Sequence, residues 1–157
     1  IEGIHALNPM LTSQLPDEVK FKIYIAVMNA LTLPDGDAIQ TQEKRLLRRI
    51  IRDTNKGAFS AQQTINQWPS VCEGERLWID PFRDSADFFF NSSMAIELSV
   101  MKPQIEKVLG AVPDDSEEYP VAQRLLHIVS AFETVSDEDI PRTSLLREFL
   151  GGSSFKY

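Results

Sequence analysis

The chain has 157 residues, of which 43% are hydrophobic and 25% are charged, a balance typical of a soluble domain with a sizeable core. Its formal net charge of −7 argues against extensive binding to nucleic acid or to an anionic membrane. No stretch reaches the apolar length that spans a bilayer. The single cysteine, Cys72, cannot form an internal disulfide, and this favours a cytoplasmic location.

The N-terminal part of the chain is predicted to contain strands and turns. Residues 1–4 are typical of the end of a buried strand that runs into a turn, and such a beginning suggests a piece of a longer protein. Residues 5–19 are predicted to form a loop or a short helix. Residues 21–27 alternate and are rich in β-branched and aromatic side chains, which predicts a strand. The Pro-Asp-Gly triplet at residues 34–36 predicts a turn.

The most informative stretch is a predicted amphipathic helix over residues 42–54. At about 100° per residue its apolar side chains fall within one arc of roughly 140°. These are Leu46, Leu47, Ile50 and Ile51. Four arginines fall within an opposite arc of roughly 100°: Arg45, Arg48, Arg49 and Arg52. Arginine is well shaped to fork onto phosphate oxygens, so this face is a candidate anion site, although pairing with nearby carboxylates would explain it equally well.

The C-terminal part is predicted to be mostly helical. Ser60 and Gln63 form a capping box for a helix over residues 61–68, and a separate helix is predicted over residues 69–80. Residues 86–90 are predicted to form a short buried strand. Three further helices are predicted, over residues 94–109, 117–135 and 143–150. Strands separated by helical segments indicate a parallel α/β sheet, here an incomplete one.

Few other residues compete as catalytic candidates. Glu2 follows a predicted strand end, where a carboxylate can hold Mg²⁺, but on spacing alone an ordinary surface glutamate is the favoured interpretation. His5 and His127 lie outside any metal-ligand spacing, and core or surface roles are the simpler interpretation. Cys72 has no basic neighbour that would activate a thiolate. A phosphate-loop motif, Gly-x-x-x-x-Gly-Lys-Ser/Thr, does not occur in this chain.

Taken in order, five segments resemble the second half of a uridine kinase-like protein of the P-loop nucleoside kinase and phosphoribulokinase group. They are IEGIHALNP at residues 1–9, RLLRRIIRD at 45–53, WPSV at 68–71, the stretch at 86–92, and LLREFLGGS at 145–153. The resemblance implies a doubly wound α/β fold, with residues 1–109 forming the C-terminal half of the kinase domain. Residues 110–157 would be a helical extension.

The resemblance also implies the site. ATP and Mg²⁺ are the implied cofactors, and a nucleoside such as uridine or cytidine is the implied acceptor. Glu2 would lie at the Mg²⁺–phosphate site, and Arg49 and Arg52 would belong to a lid helix that closes on phosphates, with Arg48 beside them. Asn91 and Ser92 would lie near the adenine. The phosphate loop and the catalytic carboxylate would lie upstream of this chain.

One departure from the pattern puts nucleoside specificity in doubt. Such kinases often carry further arginines just beyond the lid helix, where this chain has Gly57 and Phe59, with Lys56 nearby. Two hypotheses therefore stay open. The chain is either part of a nucleoside kinase, unable to turn over by itself, or a non-catalytic helical interaction module with a kinase-like shape. Uncovered strand edges would favour a homo-oligomer in either case.

Overall fold

The computed structural model describes residues 2–28 and 30–156, and these divide into two compact units. The strand unit comprises residues 1–28 and 67–93, and the helical unit comprises residues 29–66 and 94–157. Ile1, part of the predicted strand end, lies outside the described residues, and Gly3 already lies in a turn.

The strand unit contains two parallel strands, β1 (Ile23–Ala26) and β4 (Phe88–Asn91). Short 3₁₀ turns occur at Pro9–Thr12, Asp17–Val19 and Asp80–Ser85. Both strands were predicted, and their parallel pairing agrees with the mixed α/β class expected from the sequence.

The prediction that residues 86–90 form a buried strand is wrong, because all four residues of β4 are exposed. Ile23 pairs with Phe88 and Ile25 with Phe90, so these four side chains share one face of the sheet and remain exposed there. Among the described apolar side chains of this unit, Val27 is the one that is buried. The strand unit therefore has almost no core of its own.

The helical unit holds most of the buried apolar side chains. It begins with an antiparallel hairpin, β2 (Leu31–Thr32) and β3 (Ala38–Ile39), which the sequence analysis anticipated only as a turn. The predicted turn is confirmed, since Gly36 has a positive φ of 90°. Two-residue strands leave no alternating pattern to recognise, so only the turn was visible in the sequence.

Helix α1 (Thr41–Asn55) and helix α2 (Ala61–Trp78) follow the hairpin. Gly57, with a φ of 64°, lies just after α1, as predicted. The predicted capping box at α2 is confirmed, since the Gln63 N–H donates to Ser60 Oγ at 3.2 Å and the Ser60 N–H donates to Gln63 Oε1 at 2.9 Å. The predicted break at Pro69 is wrong, because α2 continues through this proline into the strand unit.

Three more helices complete the described part of the chain: α3 (Glu97–Leu109), α4 (Tyr119–Ser130) and α5 (Arg147–Leu150). Helix α1 packs against α3 and α5, and α3 packs against α4. Fully buried side chains from α1, α3 and α4 form the core, including Leu47, Ile51, Met101, Ile105, Leu125 and Ile128. Helices α4 and α5 are shorter than predicted, and the domain boundary after residue 109 stays a prediction.

Candidate functional site

Helix α1 presents the arginines because its opposite face is fixed in the core. Leu46 and Leu47 are 3% and 0% exposed, and Ile50 and Ile51 are both fully buried, as the periodicity predicted. This burial leaves the arginine-bearing side of α1 directed toward α3, α5 or solvent. None of the four arginines is fully exposed.

Arg48 lies in a buried charge cluster, where it pairs with a carboxylate, as one of the two interpretations of the arginine face allows. Its Nε donates to Glu97 Oε2 at 3.0 Å, and its Nη2 donates to the same oxygen. The two side chains are only 11% and 4% exposed. Lys44, one turn earlier, is 1% exposed. Burial lowers the pKa of Lys44, the Glu97 carboxylate opposes that shift, and Arg48 adds to it.

Arg49 and Arg52 share the carboxylate of Asp53. Arg49 Nε lies 3.3 Å from Oδ2, and Arg52 Nε lies 3.8 Å from Oδ1. The side chain of Asp53 is 12% exposed, whereas the side chains of Arg49 and Arg52 are 28% and 36% exposed. Thr64 of α2 is fully buried and donates its hydroxyl to Asp53 Oδ2 at 3.3 Å. The two arginines are therefore held together by one carboxylate, with part of each side chain open to solvent.

Helix α5 contacts the same side of α1. Glu148 Oε1 lies 3.8 Å from Arg52 Nη1, and the Phe149 ring lies 5.7 Å from the Arg48 guanidinium carbon. The side chain of Asn55 donates to the Phe149 carbonyl. The C-terminal segment therefore anchors the arginine helix, a role that nothing in the sequence indicated.

Asn91 and Ser92 lie at the carboxyl end of β4 in the strand unit. Asn91 Oδ1 accepts hydrogen bonds from the backbone N–H of Met28 at 3.1 Å and of Ser93 at 3.0 Å. The Ser92 N–H donates to the Ala26 carbonyl at 2.8 Å, and Ser92 is buried. In open α/β sheets, ligands bind beyond the carboxyl ends of parallel strands, so both residues occupy a favourable edge.

Glu2 lines an open cleft of about 680 Å³ beside β1. The cleft wall includes residues 21–25 and Ile79, and its charged residues are Glu2, Lys20 and Lys22. Nearby in the same unit, the His5 ring packs edge-on against Trp78, with 5.2 Å between the ring centroids. This contact is consistent with a packing role for His5.

Glu2 could hold a metal ion only together with oxygen ligands from water and a substrate. Within residues 2–28 and 30–156, no three His, Cys, Asp or Glu side chains are grouped so that they could hold a metal ion. Glu2 is the one carboxylate in its cleft. A lone carboxylate suits Mg²⁺ only when water and phosphate oxygens complete the octahedron, which is the usual arrangement in nucleotide sites.

The structure groups the predicted site residues by unit. Arg48, Arg49 and Arg52 lie in the helical unit, and Glu2, Asn91 and Ser92 lie in the strand unit.

Sequence reasoning missed six further residues that contact the arginines or lie in their charge cluster: Lys44, Asp53, Thr64, Glu97, Glu148 and Phe149. The i,i+4 spacing of Arg49 and Asp53 was a signal for one of them. The contacts of Glu97 and Thr64 come from other helices and had no local signal.

Comparison with known proteins adds no identification. No model of a known protein family, no curated protein and no solved structure matches this chain. Among the described helices, none combines the length and the apolar character needed to cross a membrane.

Proposed function

We propose that this chain is part of an ATP-dependent nucleoside kinase that transfers the γ-phosphate of ATP to a hydroxyl of uridine or cytidine. The observation that carries the proposal is the placement of α1. This arginine helix lies on the connection between two parallel strands, and it bears Arg49 and Arg52 with their side chains partly open. Phosphoryl transfer depends mainly on positioning and on neutralising charge at the phosphates, which arginine does well.

Each predicted residue has a role in this proposal. Arg49 and Arg52 contact the transferred phosphate, and Arg48 anchors their helix through Glu97. Asn91 and Ser92 lie near the nucleotide at the edge of the sheet. Glu2 would hold Mg²⁺ through water, and the ion would supply positive charge that neutralises the phosphates. The phosphate loop comes from a segment outside these 157 residues, because this chain has no such motif.

Several further features of the proposed kinase follow from the sequence analysis. It is a cytoplasmic protein that forms a homo-oligomer and acts on small molecules, not on nucleic acid or membranes. Because the isolated chain has no phosphate loop, we expect it to show no turnover of uridine or cytidine by itself.

The test uses a longer protein that contains this chain together with a phosphate loop. Arg49→Ala and Arg52→Ala should each lower kcat for uridine phosphorylation by up to about a thousandfold, the effect of losing a transition-state arginine. Both should shift the free energy of unfolding by less than about 1 kcal/mol, since each breaks only a partly exposed ion pair. Arg76→Ala is the matched control, because it removes another arginine from an ion pair, with Glu73 of the same helix. Wild-type kcat in both α1 variants would refute the proposal.

A non-catalytic interaction module is the second candidate. It is favoured by the carboxylate partners of the arginines, because Glu97, Asp53 and Glu148 already balance the charges of Arg48, Arg49 and Arg52. In that case uridine-dependent ATP hydrolysis would be absent in the longer protein, and replacing Arg49 or Arg52 would change only stability or partner binding.

A further inference from the structure

The Asp53 carboxylate contacts two arginines of its own helix and one buried hydroxyl of α2. Each carboxylate oxygen faces one guanidinium at the Nε position, at 3.3 Å for Arg49 and 3.8 Å for Arg52. Oδ2 also accepts the hydroxyl hydrogen of Thr64, which is fully buried on α2. The carboxylate is therefore fixed from the core side, while both arginines extend from the helix surface.

The Nε contacts have a chemical consequence. A guanidinium has five N–H donors, and a carboxylate at Nε occupies one side of that fork. The terminal nitrogens stay available for a second acceptor, which can be a phosphate bound by two parallel hydrogen bonds. At Arg52 the two carboxylates are equally distant, since Nε lies 3.8 Å from Asp53 Oδ1 and Nη1 lies 3.8 Å from Glu148 Oε1. Both distances are longer than a hydrogen bond, so these are ion pairs, and the closer of the two Asp53 contacts is the one to Arg49.

We propose that Asp53, oriented by Thr64, is a positioning residue that sets Arg49 and Arg52 side by side for one polyphosphate group. This inference rests on the proposed function, because it assigns the two arginines to phosphate. Asp53 does not contact the ligand. It restricts two long side chains that would otherwise lose conformational entropy when the ligand binds, so its contribution is preorganisation.

Electrostatic attraction alone and positioning by Asp53 predict opposite changes in phosphate binding when the Asp53 charge is removed. Asp53 is an anion, and removing its charge beside two arginines would strengthen phosphate binding if attraction alone mattered. Positioning predicts weaker binding, because both guanidiniums lose their shared anchor. The sign of the change therefore separates the two explanations.

The experiment titrates tripolyphosphate into the 157-residue chain by calorimetry at low ionic strength, below the thermal midpoint of every variant. Asp53→Asn keeps the shape of the side chain and should weaken binding about tenfold, the loss of roughly one charge-assisted contact. Thr64→Val removes only the hydroxyl donor and should weaken binding about threefold, whereas Thr64→Ser keeps the donor and should bind like the wild type. Glu73→Gln, which removes a carboxylate from the exposed pair with Arg76, is the control.

The outcomes separate this inference from the function on which it rests. The inference is supported if Asp53→Asn and Thr64→Val weaken binding while Thr64→Ser and Glu73→Gln do not. Asp53→Asn overturns the inference if it binds tripolyphosphate as tightly as the wild type, or more tightly, while the double variant Arg49→Ala/Arg52→Ala does not bind. If Asp53→Asn does not fold, the two Thr64 variants decide. Absence of tripolyphosphate binding by the wild type, or full binding by the double arginine variant, overturns the arginine site itself and the inference with it.

Discussion

At the scale of single residues, the arginine helix owes its placement to buried charge as much as to its apolar stripe. Lys44 and Arg48 place two cations near the carboxylate of Glu97, and all three side chains are almost fully buried. Burying charges is costly unless they are paired, so the loss of the carboxylate should matter more than the loss of an exposed partner.

Glu97→Gln should lower the free energy of unfolding by about 3 kcal/mol, because it removes a buried carboxylate that faces two buried cations. The measurement is urea denaturation followed by far-ultraviolet circular dichroism. Glu73→Gln is the control, since its pair with Arg76 is exposed and should contribute little to the free energy of unfolding. Equal effects of the two substitutions would show that the buried pair has no special role.

Protonation of Glu118 should contribute to the loss of folding stability at low pH. It accepts hydrogen bonds from Gln62 Nε2 at 3.0 Å and Asn66 Nδ2 at 2.8 Å, and these donors hold its pKa below the ordinary value for glutamate. A lowered pKa in the folded state stabilises the fold at neutral pH. That contribution is lost as the pH falls from about 4.3, where the unfolded carboxyl takes up its proton, through the folded pKa.

Glu118→Gln should therefore lose less stability than the wild type between pH 7 and pH 3, as measured by urea denaturation at each pH. Gln62→Leu removes one of the donors without changing a carboxylate, and it should give the same trend with a smaller amplitude. The same loss of stability in the wild type and in Glu118→Gln would contradict the assignment.

At the scale of elements, a proline inside α3 leaves a helix carbonyl that binds the segment after α4. Pro103 lies within α3 and has no N–H to donate to the carbonyl of Ser99, four residues earlier. That carbonyl instead accepts the backbone N–H of Val135 at 3.3 Å. On the same helix, Lys102 Nζ donates to the Phe132 carbonyl at 2.7 Å, just beyond the end of α4. Helix α3 thus binds the chain that leaves α4.

Pro103→Ala should stabilise the chain by about 1–3 kcal/mol, because alanine restores the helical hydrogen bond and has a far better helix propensity. Pro103 and Val135 are both exposed, so the change buries nothing, and water can satisfy the Val135 N–H. The midpoint of urea denaturation measures the effect. A destabilised variant would show that the contact between Ser99 and Val135 is worth more than the helical bond.

At the scale of the whole molecule, the two units differ in how well each covers its apolar side chains. Ile23, Ile25, Phe88 and Phe90 are 47%, 64%, 49% and 48% exposed on one face of the parallel pair. On the other face, Arg83 lies over the rings of Tyr24 and Phe89. A two-stranded sheet with one bare apolar face is marginal in water and favours association.

The chain should therefore self-associate at micromolar concentration, most simply as a two-fold dimer, as measured by sedimentation velocity. Ile25→Thr combined with Phe90→Thr keeps reasonable strand propensity and should shift the equilibrium toward monomer. Val121→Thr, on the exposed surface of α4, is the control and should leave it unchanged. A clean wild-type monomer that unfolds cooperatively would contradict the prediction.

The sequence by itself determined the local features of this protein. It determined the arginine helix, the apolar residues that bury it, the stop at Gly57 and the capping box of α2, because each depends on side chains within one or two turns of one another. It also determined that residues 21–27 and 86–90 contain strands, because β-branched and aromatic residues mark them.

Only the tertiary structure decided which arginines stay partly open. Arg48 and Arg49 are adjacent and chemically identical, yet Arg48 is buried against Glu97 of α3, and Arg49 pairs with Asp53 of its own helix. The sequence likewise did not determine whether β4 is exposed, because a run of apolar residues looks the same in a buried strand and in an exposed one. These outcomes depend on which element packs alongside, and contacts between residues far apart in the chain leave no periodic signal in it.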